Sequence, residues 1–318
     1  MRTKKLSSII KKITELSIWE NMPNGDFVWG LVPQMAEDPY VCVFVKNPEP
    51  LLKGRLMFFP KFEEFRDYIM VRRFQDYGVI MSLMELNHYG VSIPKDDKLP
   101  AEAFLCESGY RPLIMTDENA GIFSSLLYQA YGVLLRYEED KDIFKKYMNE
   151  NTLFARKEIS DVNWVDGPLK IPNLKPYEEK ISLKKDECDK AKKLPIIPDE
   201  AWEVDFALFP NFQTNDQKPR LLYVLAVINA STKEIMSSVK MSVDGKENAL
   251  VRMWGAHAAR LLAAIIKAGR VPGEIRVQSP RMMRFLRPLG MQLPFKIVQE
   301  NKLPAIIDYF NNVIAKGG

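Results

Sequence analysis

The sequence predicts a protein of two domains: an α+β domain over residues 1–172, then a mixed-sheet α/β domain over residues 199–318 in the order βββαβαβα. Three observations lead there. Three strand-like pieces follow one another between Trp202 and Met241. Helical stripes then alternate with short apolar runs to the C-terminal end, and a charged, proline-punctuated connector at 173–198 precedes both. A chain of 318 residues has length for two cores, and 47% hydrophobic against 27% charged residues excludes disorder throughout.

In chain order, Leu6, Ile9, Ile10, Ile13 and Leu16 recur at helical spacing, which predicts an amphipathic helix over residues 4–18 with its lysines in water. Asp26–Leu31, Tyr40–Lys46 and Arg55–Phe59 read as strands separated by Pro, Asn and Gly. Phe62, Phe65 and Ile69 mark a helix. Its Glu63 and Glu64 lie in the first turn and Arg72 and Arg73 in the last, where the helix dipole favours each sign. Val79–Leu86 reads as another strand. Residues 87–112, with Pro94, Pro100 and Pro112, read as a long irregular segment. Thr116 is placed to cap the next helix, striped by Ile122, Leu126, Ala130 and Leu134, and a short helix is expected over Asp142–Met148. Thr152–Ile171 reads as a hairpin turning near Asp161. Balanced charge between Lys184 and Lys193 suggests one solvent-facing helix inside the connector.

In the second half, Trp202, Val204, Phe206 and Leu208 alternate with other residues, as in a half-buried strand. Leu221–Ile228 is nearly continuous in apolar residues, as in a strand covered on both faces. Asn229–Lys233 is turn chemistry, and Glu234–Met241 resumes the alternation. The period then changes: Leu250, Trp254, His257, Leu261 and Ile265 form a helical stripe that Gly269 ends and Pro272 cannot continue. Ile275 and Val277 make a short strand, Met282–Leu286 a short helix, and Phe295, Ile297 and Val298 a last strand. Pro304 opens a final helix striped by Ile306, Ile307, Phe310, Val313 and Ile314.

That order, together with the opening Trp202-Glu203-Val204-Asp205, resembles the ribonuclease-H-like superfamily, which includes transposase and integrase cores. The resemblance covers the last third of the chain. Active members hold two metal ions with three or four carboxylates, because two cations beside a scissile phosphate require several anionic oxygens. Asp205 matches the first position. The second acid is expected on the first helix, yet residues 248–271 contain no Asp or Glu, and the third is expected where Gln278-Ser279-Pro280 stands. The resemblance therefore implies a degenerate domain with no metal and no cofactor. The alternative is a metal-dependent nuclease that combines Asp205 with Glu203, Glu300 or Asp308. The whole chain also resembles a two-domain bacterial family of unknown function, through Gly109-Tyr110-Arg111-Pro112, the Trp202–Asp205 tetrapeptide and Leu303-Pro304.

The formal net charge of +4 is unevenly spread: residues 196–318 hold 16 Lys and Arg against 11 Asp and Glu, and the remainder 29 against 30. Such an excess permits a nucleic-acid partner without requiring one. Arg270, Arg276, Arg281, Arg284 and Arg287 lie within 18 positions. Of these, Arg276, Arg281, Arg284 and Arg287 are the candidate phosphate contacts, the last three falling on neighbouring parts of a helix face. Few aromatics interleave with them, which disfavours stacking on single strands. Tyr110 and Arg111 are candidates for a site between the domains.

Cys42, Cys106 and Cys188 are scattered, with no CxxC pair, which excludes a disulfide framework or structural zinc site. A Cys–His nucleophile would have to join Cys42 or Cys106 to His88 or His257, the two histidines of the chain; a structural role fits each better. No GxGxxG or P-loop occurs. Lys11, Lys12 and Glu15 interrupt any signal-like core near the start, and no apolar run suits a membrane helix, so a cytoplasmic protein with no membrane contact is expected. The function expected is that of a noncatalytic interaction or scaffold protein with a protein partner. Nucleic-acid binding and nuclease activity are the competing readings.

Overall fold

A computed structural model describes residues 5–22, 26–46, 48, 50–73, 86–96, 98–147, 149, 151–160, 163–173, 181–209, 220–242 and 253–315. Among these, eight helices and thirteen strands form a mixed α+β protein with two mixed sheets. The chain divides into two compact units. The first is drawn mainly from Met1–Ile69, Leu86–Glu107 and Pro112–Pro176, the second mainly from Ser108–Arg111 and Tyr177–Gly318. Among the described residues no helix is long and apolar enough to cross a membrane.

The first unit begins with α1 (Leu6–Thr14) and the single turn α2 (Ile18–Asn21), so the expected helix over 4–18 breaks before Ser17. Strands β1 (Asp26–Val32), β2 (Tyr40–Lys46) and β3 (Leu52–Phe59) form an antiparallel meander, followed by α3 (Phe62–Arg73). The strand expected over Val79–Leu86 falls almost wholly outside the described residues. Residues 87–112 are not irregular: they carry β4 (His88–Pro94) and β5 (Glu102–Cys106), and β6 (Leu113–Ile114) pairs with β5. Here Pro94 ends a strand rather than interrupting one, which is where a residue without an N–H is tolerated.

Helix α4 (Ile122–Glu139) starts behind Gly121, whose φ of 48° suits glycine, and not at Thr116. The Thr116 N–H instead donates to Asn119 Oδ1 at 2.6 Å within a turn. Likewise Asp142–Tyr147 makes turns rather than a helix, with Ile143 and Phe144 buried in the core. Strands β7 (Thr152–Ser160) and β8 (Asn163–Lys170) form the expected hairpin, and β7 lies parallel to β1. The eight strands run β6-β5-β4-β3-β2-β1-β7-β8. Trp19, Trp29, Phe44, Phe58 and Phe154 pack with α1 and α4 on one face. A Cβ on Gly54 would lie 1.8 Å from the Trp19 ring, so the indole can rest on the sheet only where the strand has no side chain.

In the second unit α5 (Lys185–Ala191) occupies the expected connector, but it is not solvent-facing: Cys188 and Ala191 are buried in the unit's core. Then follow β9 (Ile196–Phe209), β10 (Leu222–Asn229), β11 (Ile235–Ser242), α6 (His257–Ala268), β12 (Val271–Val277), α7 (Pro280–Gly290), β13 (Lys296–Gln299) and α8 (Pro304–Ala315). This is the expected βββαβαβα order; Leu250 lies outside the described residues. The sheet runs β11-β10-β9-β12-β13, and β10 alone opposes the direction of the other four.

Trp202, Val204, Leu208, Leu225, Val227, Ile275 and Val277 share one core with α6 and α7, while Ala226 and Ile228 pack on the other side against Leu303, Ala305 and Ile306 of the α8 end. Strand β10 is thus covered on both faces, and each fully buried Leu, Ile or Val there is worth about 1.5–3 kcal/mol. Gly269 takes the left-handed φ of 68° that closes α6, its N–H donating to Ile265 O. Ser279 caps α7 by accepting the Met282 N–H at 3.0 Å.

Candidate functional site

Strand alternation sends Glu203 and Asp205 to the side of the sheet that α8 covers, opposite Trp202, Val204 and Phe206. Glu203 is buried, with 3% of its surface exposed. Its Oε2 accepts the Ile306 N–H, in the first turn of α8, at 3.0 Å. The first turn of a helix has N–H groups with no partner inside the helix and carries partial positive charge, so a carboxylate beneath it is doubly favourable. Glu203 is therefore a helix cap supplied by a neighbouring strand. Asp205, two residues on, is half-buried, and its Oδ1 accepts the Phe206 N–H at 2.8 Å.

The parallel register sets Arg276 beside Glu203, and the Arg276 Nε donates to Glu274 Oε1 at 2.6 Å. That bond, outweighing burial and helped by the charges of Glu274, Glu300 and Glu203, holds the guanidinium pKa above its ordinary value. Glu300 is exposed beyond β13, and Asp308, more than half exposed, pairs with Lys233. The structure thus brings Glu203 and Asp205 to one strand face and leaves Asp308 at the surface. Among the described residues no three or more His, Cys, Asp or Glu side chains are grouped to hold a metal ion.

The arginines separate. Arg270 donates from Nε and Nη2 to both oxygens of Glu200, at 3.0–3.1 Å, and Asn229 Nδ2 donates to the same carboxylate at 2.7 Å. Arg281 is buried, 7% exposed, and its Cζ stands 3.6 Å from the Trp254 ring centroid. Arg284 is half-buried and Arg287 exposed. The three-residue spacing on α7 therefore does not give one open face: its first member turns into the core edge, where an aromatic plane accepts the flat guanidinium.

His257 lies under that arginine. Its Nδ1 meets Met253 O at 3.0 Å, and its ring contacts Phe206 at 5.0 Å and Phe285 at 5.3 Å between centroids. Burial pushes its pKa down to about 4, against the Met253 bond and with help from Arg260 and Arg281. Its Nε2, Trp254 Nε1 and Arg260 Nη1 are buried with no hydrogen-bond partner among the described residues. Sequence reading placed Trp254 and His257 on one helical stripe and gave His257 a structural role; Arg260, a further three-residue step along, was the signal for its place beside them.

In the first unit His88 faces Cys106 across the β4–β5 ladder, the pair a nucleophilic thiol would need. The environment opposes that role. Burial pushes the Cys106 thiol up to about 12, with Arg55 acting the other way, and pushes His88 down to about 4. A thiolate–imidazolium pair is disfavoured at both ends, so both groups fill the core. Burial raises the Cys42 thiol as well, and Cys188 is buried. Tyr110 and Arg111 fall in the second unit, where Tyr110 bridges Arg220 and the Leu221 N–H donates to Gly109 O at 2.8 Å.

Residues 187–314, from α5 to the last turns of α8, match a domain of unknown function (DUF6930). No curated protein and no solved structure matches the chain.

Proposed function

We propose that the chain is a noncatalytic interaction protein of two domains, its C-terminal half a degenerate member of the ribonuclease-H-like superfamily. The strand order, with the second strand reversed against four others, supports the resemblance that the Trp202–Asp205 tetrapeptide suggests. One observation carries the functional reading: the buried carboxylate beside Asp205 is engaged by the Ile306 N–H of α8. A cation placed there would compete with a helix N-terminus for Glu203. The helix that follows the first three strands contributes no acid, and the position after the fourth strand is a helix cap, Ser279. The phosphate-binding alternative is weakened because Arg270 and Arg276 already face Glu200 and Glu274, which leaves Arg287 as the exposed member of the group.

Incubation of the full chain with single- and double-stranded DNA and RNA in Mg²⁺ or Mn²⁺ tests this reading. The expected result is no cleavage. Metal-dependent cleavage that Asp205→Ala abolishes would replace the reading with the nuclease one. Tight, steeply salt-dependent binding lost on charge reversal at Arg284 and Arg287 would replace it with nucleic-acid binding.

A further inference from the structure

We propose that a groove in the first unit, between α1 and the β5–β6 end of the sheet, docks an amphipathic helix of a partner protein, its apolar side inward and flanked by Lys or Arg. The noncatalytic reading concerns the second unit, and the groove stands whether or not that unit cleaves nucleic acid.

The groove holds about 540 Å³, within the range of formed binding sites. Ile10 and Thr14 of α1 line one wall, Ile114 and Met115 the other, and Ala101 and Ala103 the floor. Alanine opens it: Ala103 stands opposite Val91 in the β4–β5 ladder, so the sheet surface drops by two methyl groups from β4 to β5. Helix α1 turns Leu6, Ile9 and Ile13 into the core, which leaves Ile10 and Thr14, one position further round, half-buried beside the groove. Ile114, 55% exposed, extends the apolar surface to the rim.

The lining hydroxyls are engaged within the chain. Thr14 Oγ1 donates to Ile10 O at 2.9 Å, Ser7 Oγ to Asp117 Oδ2 at 3.3 Å, and Thr116 Oγ1 to Asn119 Oδ1 at 3.4 Å. What faces a ligand is apolar surface with charge at its rim. That rim carries Glu15, Glu102 and Asp117 against Lys11, which lies 3.9 Å from Glu15. At 3.6 residues per turn, Lys5 and Lys12 point about 150° away from Ile10, so they do not offset the acids. The complement is an apolar surface edged by cations. An extended segment lying there would leave its backbone groups unmatched over a floor of side chains, whereas a helix arrives with them paired. From Leu6 to Glu15 the α1 wall runs about 14 Å, more than two helical turns. Packed helices lie about 8–10 Å apart and strands about 4.8 Å, so one helix covers roughly two strands. α4 packs against α1, and a helix seated on β5 and β6 continues that layer, its i, i+3, i+4 and i+7 side chains meeting the alanine floor.

Fluorescence anisotropy on the full-length protein tests this. The probe is a labelled peptide of about 15 residues with Leu at i, i+3, i+4 and i+7 and Lys elsewhere, and the counter-probe carries Glu for Lys. At low salt the Lys peptide should bind saturably and about tenfold or more tightly than the Glu peptide. It should shift the methyl NMR signals of Ile10 and Met115 and leave that of Met282, in the second unit, unmoved. Ala101→Phe, at a half-buried position, fills the groove and should weaken binding about tenfold. Glu15→Lys combined with Glu102→Lys should reverse the preference between the two peptides. No binding by the wild type, equal binding of both peptides, or undiminished affinity in a folded Ala101→Phe protein overturns the site. A peptide broken by a central proline that binds as tightly overturns the helical occupant. A dimer of the peptide-free protein that Ala101→Phe dissolves gives the groove to a second copy of the chain instead.

Discussion

Towards α8 the second sheet turns Glu203, Glu274 and Arg276, and each meets a complementary group of the protein: a helix N–H, a guanidinium, a carboxylate. Towards α6 and α7 it meets His257, Arg260 and Arg281, where cations neighbour one another and an imidazole. Both faces bury ionisable groups beside an apolar core. The difference is in how they are held. A carboxylate and a guanidinium facing their opposites stay charged and fix one geometry, whereas on the other side Arg281 lies against the Trp254 ring and burial keeps His257 neutral.

The comparison is most easily broken at Glu203. Glu203→Ala removes a buried cap and leaves the Ile306 N–H unmatched, so the second unit should lose about 3 kcal/mol in urea unfolding. Glu203→Gln keeps an acceptor oxygen but not the charge beneath the helix end, and should lose roughly half as much. A loss near zero for Ala would show that α8 is held without its cap and that the face is not closed by Glu203.

Acid is the next largest perturbation and acts on both units. His88 and His257 are depressed to about 4 in the folded chain, below the ordinary 6.5, so the unfolded state binds more protons between those values. Stability is then full above about pH 6.5 and falls as pH drops towards 4, by on the order of 2 kcal/mol per unit between about pH 7 and pH 4.5. His88→Gln should flatten this slope in the first unit. His257→Gln should flatten it in the second. A slope that neither variant changes would show that burial does not hold these imidazoles neutral.

A smaller effect is expected from Arg270→Ala, which opens the Glu200–Arg270–Asn229 network where β9, β10 and β12 meet. Arg270 is about one-third exposed and the pair is bidentate, so about 1 kcal/mol, reduced by added salt, is the expected loss in chemical unfolding.

How much of this was legible follows the same division. The order β9 to α8 could be read because alternation, a change of period, Gly269 and Pro304 agree with one another. The strands at His88–Pro94 and Glu102–Cys106 were missed because three prolines resembled a loop, although Pro94 and Pro100 lie at or beyond strand ends. The helix at Lys185–Ala191 looked solvated because its charges outnumber Cys188 and Ala191, the two side chains that anchor it. Arginine is harder still: the sequence shows five positive residues close together, but not that Glu200 lies 70 positions from Arg270 or that Trp254 lies beneath Arg281. Charge is legible in a sequence; its compensation is a property of the fold.

The smallest expected effect concerns Asp205, the residue the resemblance singles out. Asp205→Asn keeps an oxygen that can accept the Phe206 N–H and changes the charge at a half-buried position, so stability should move by less than about 0.5 kcal/mol. In the noncatalytic reading the variant should also match the wild type in thermal shift with Mg²⁺ or Mn²⁺, because among the described residues no group of three or more metal-ligating side chains includes it. If the metals stabilise the wild type and not the variant, Asp205 has ligand partners, and the α8 face is less closed than the engagement of Glu203 implies.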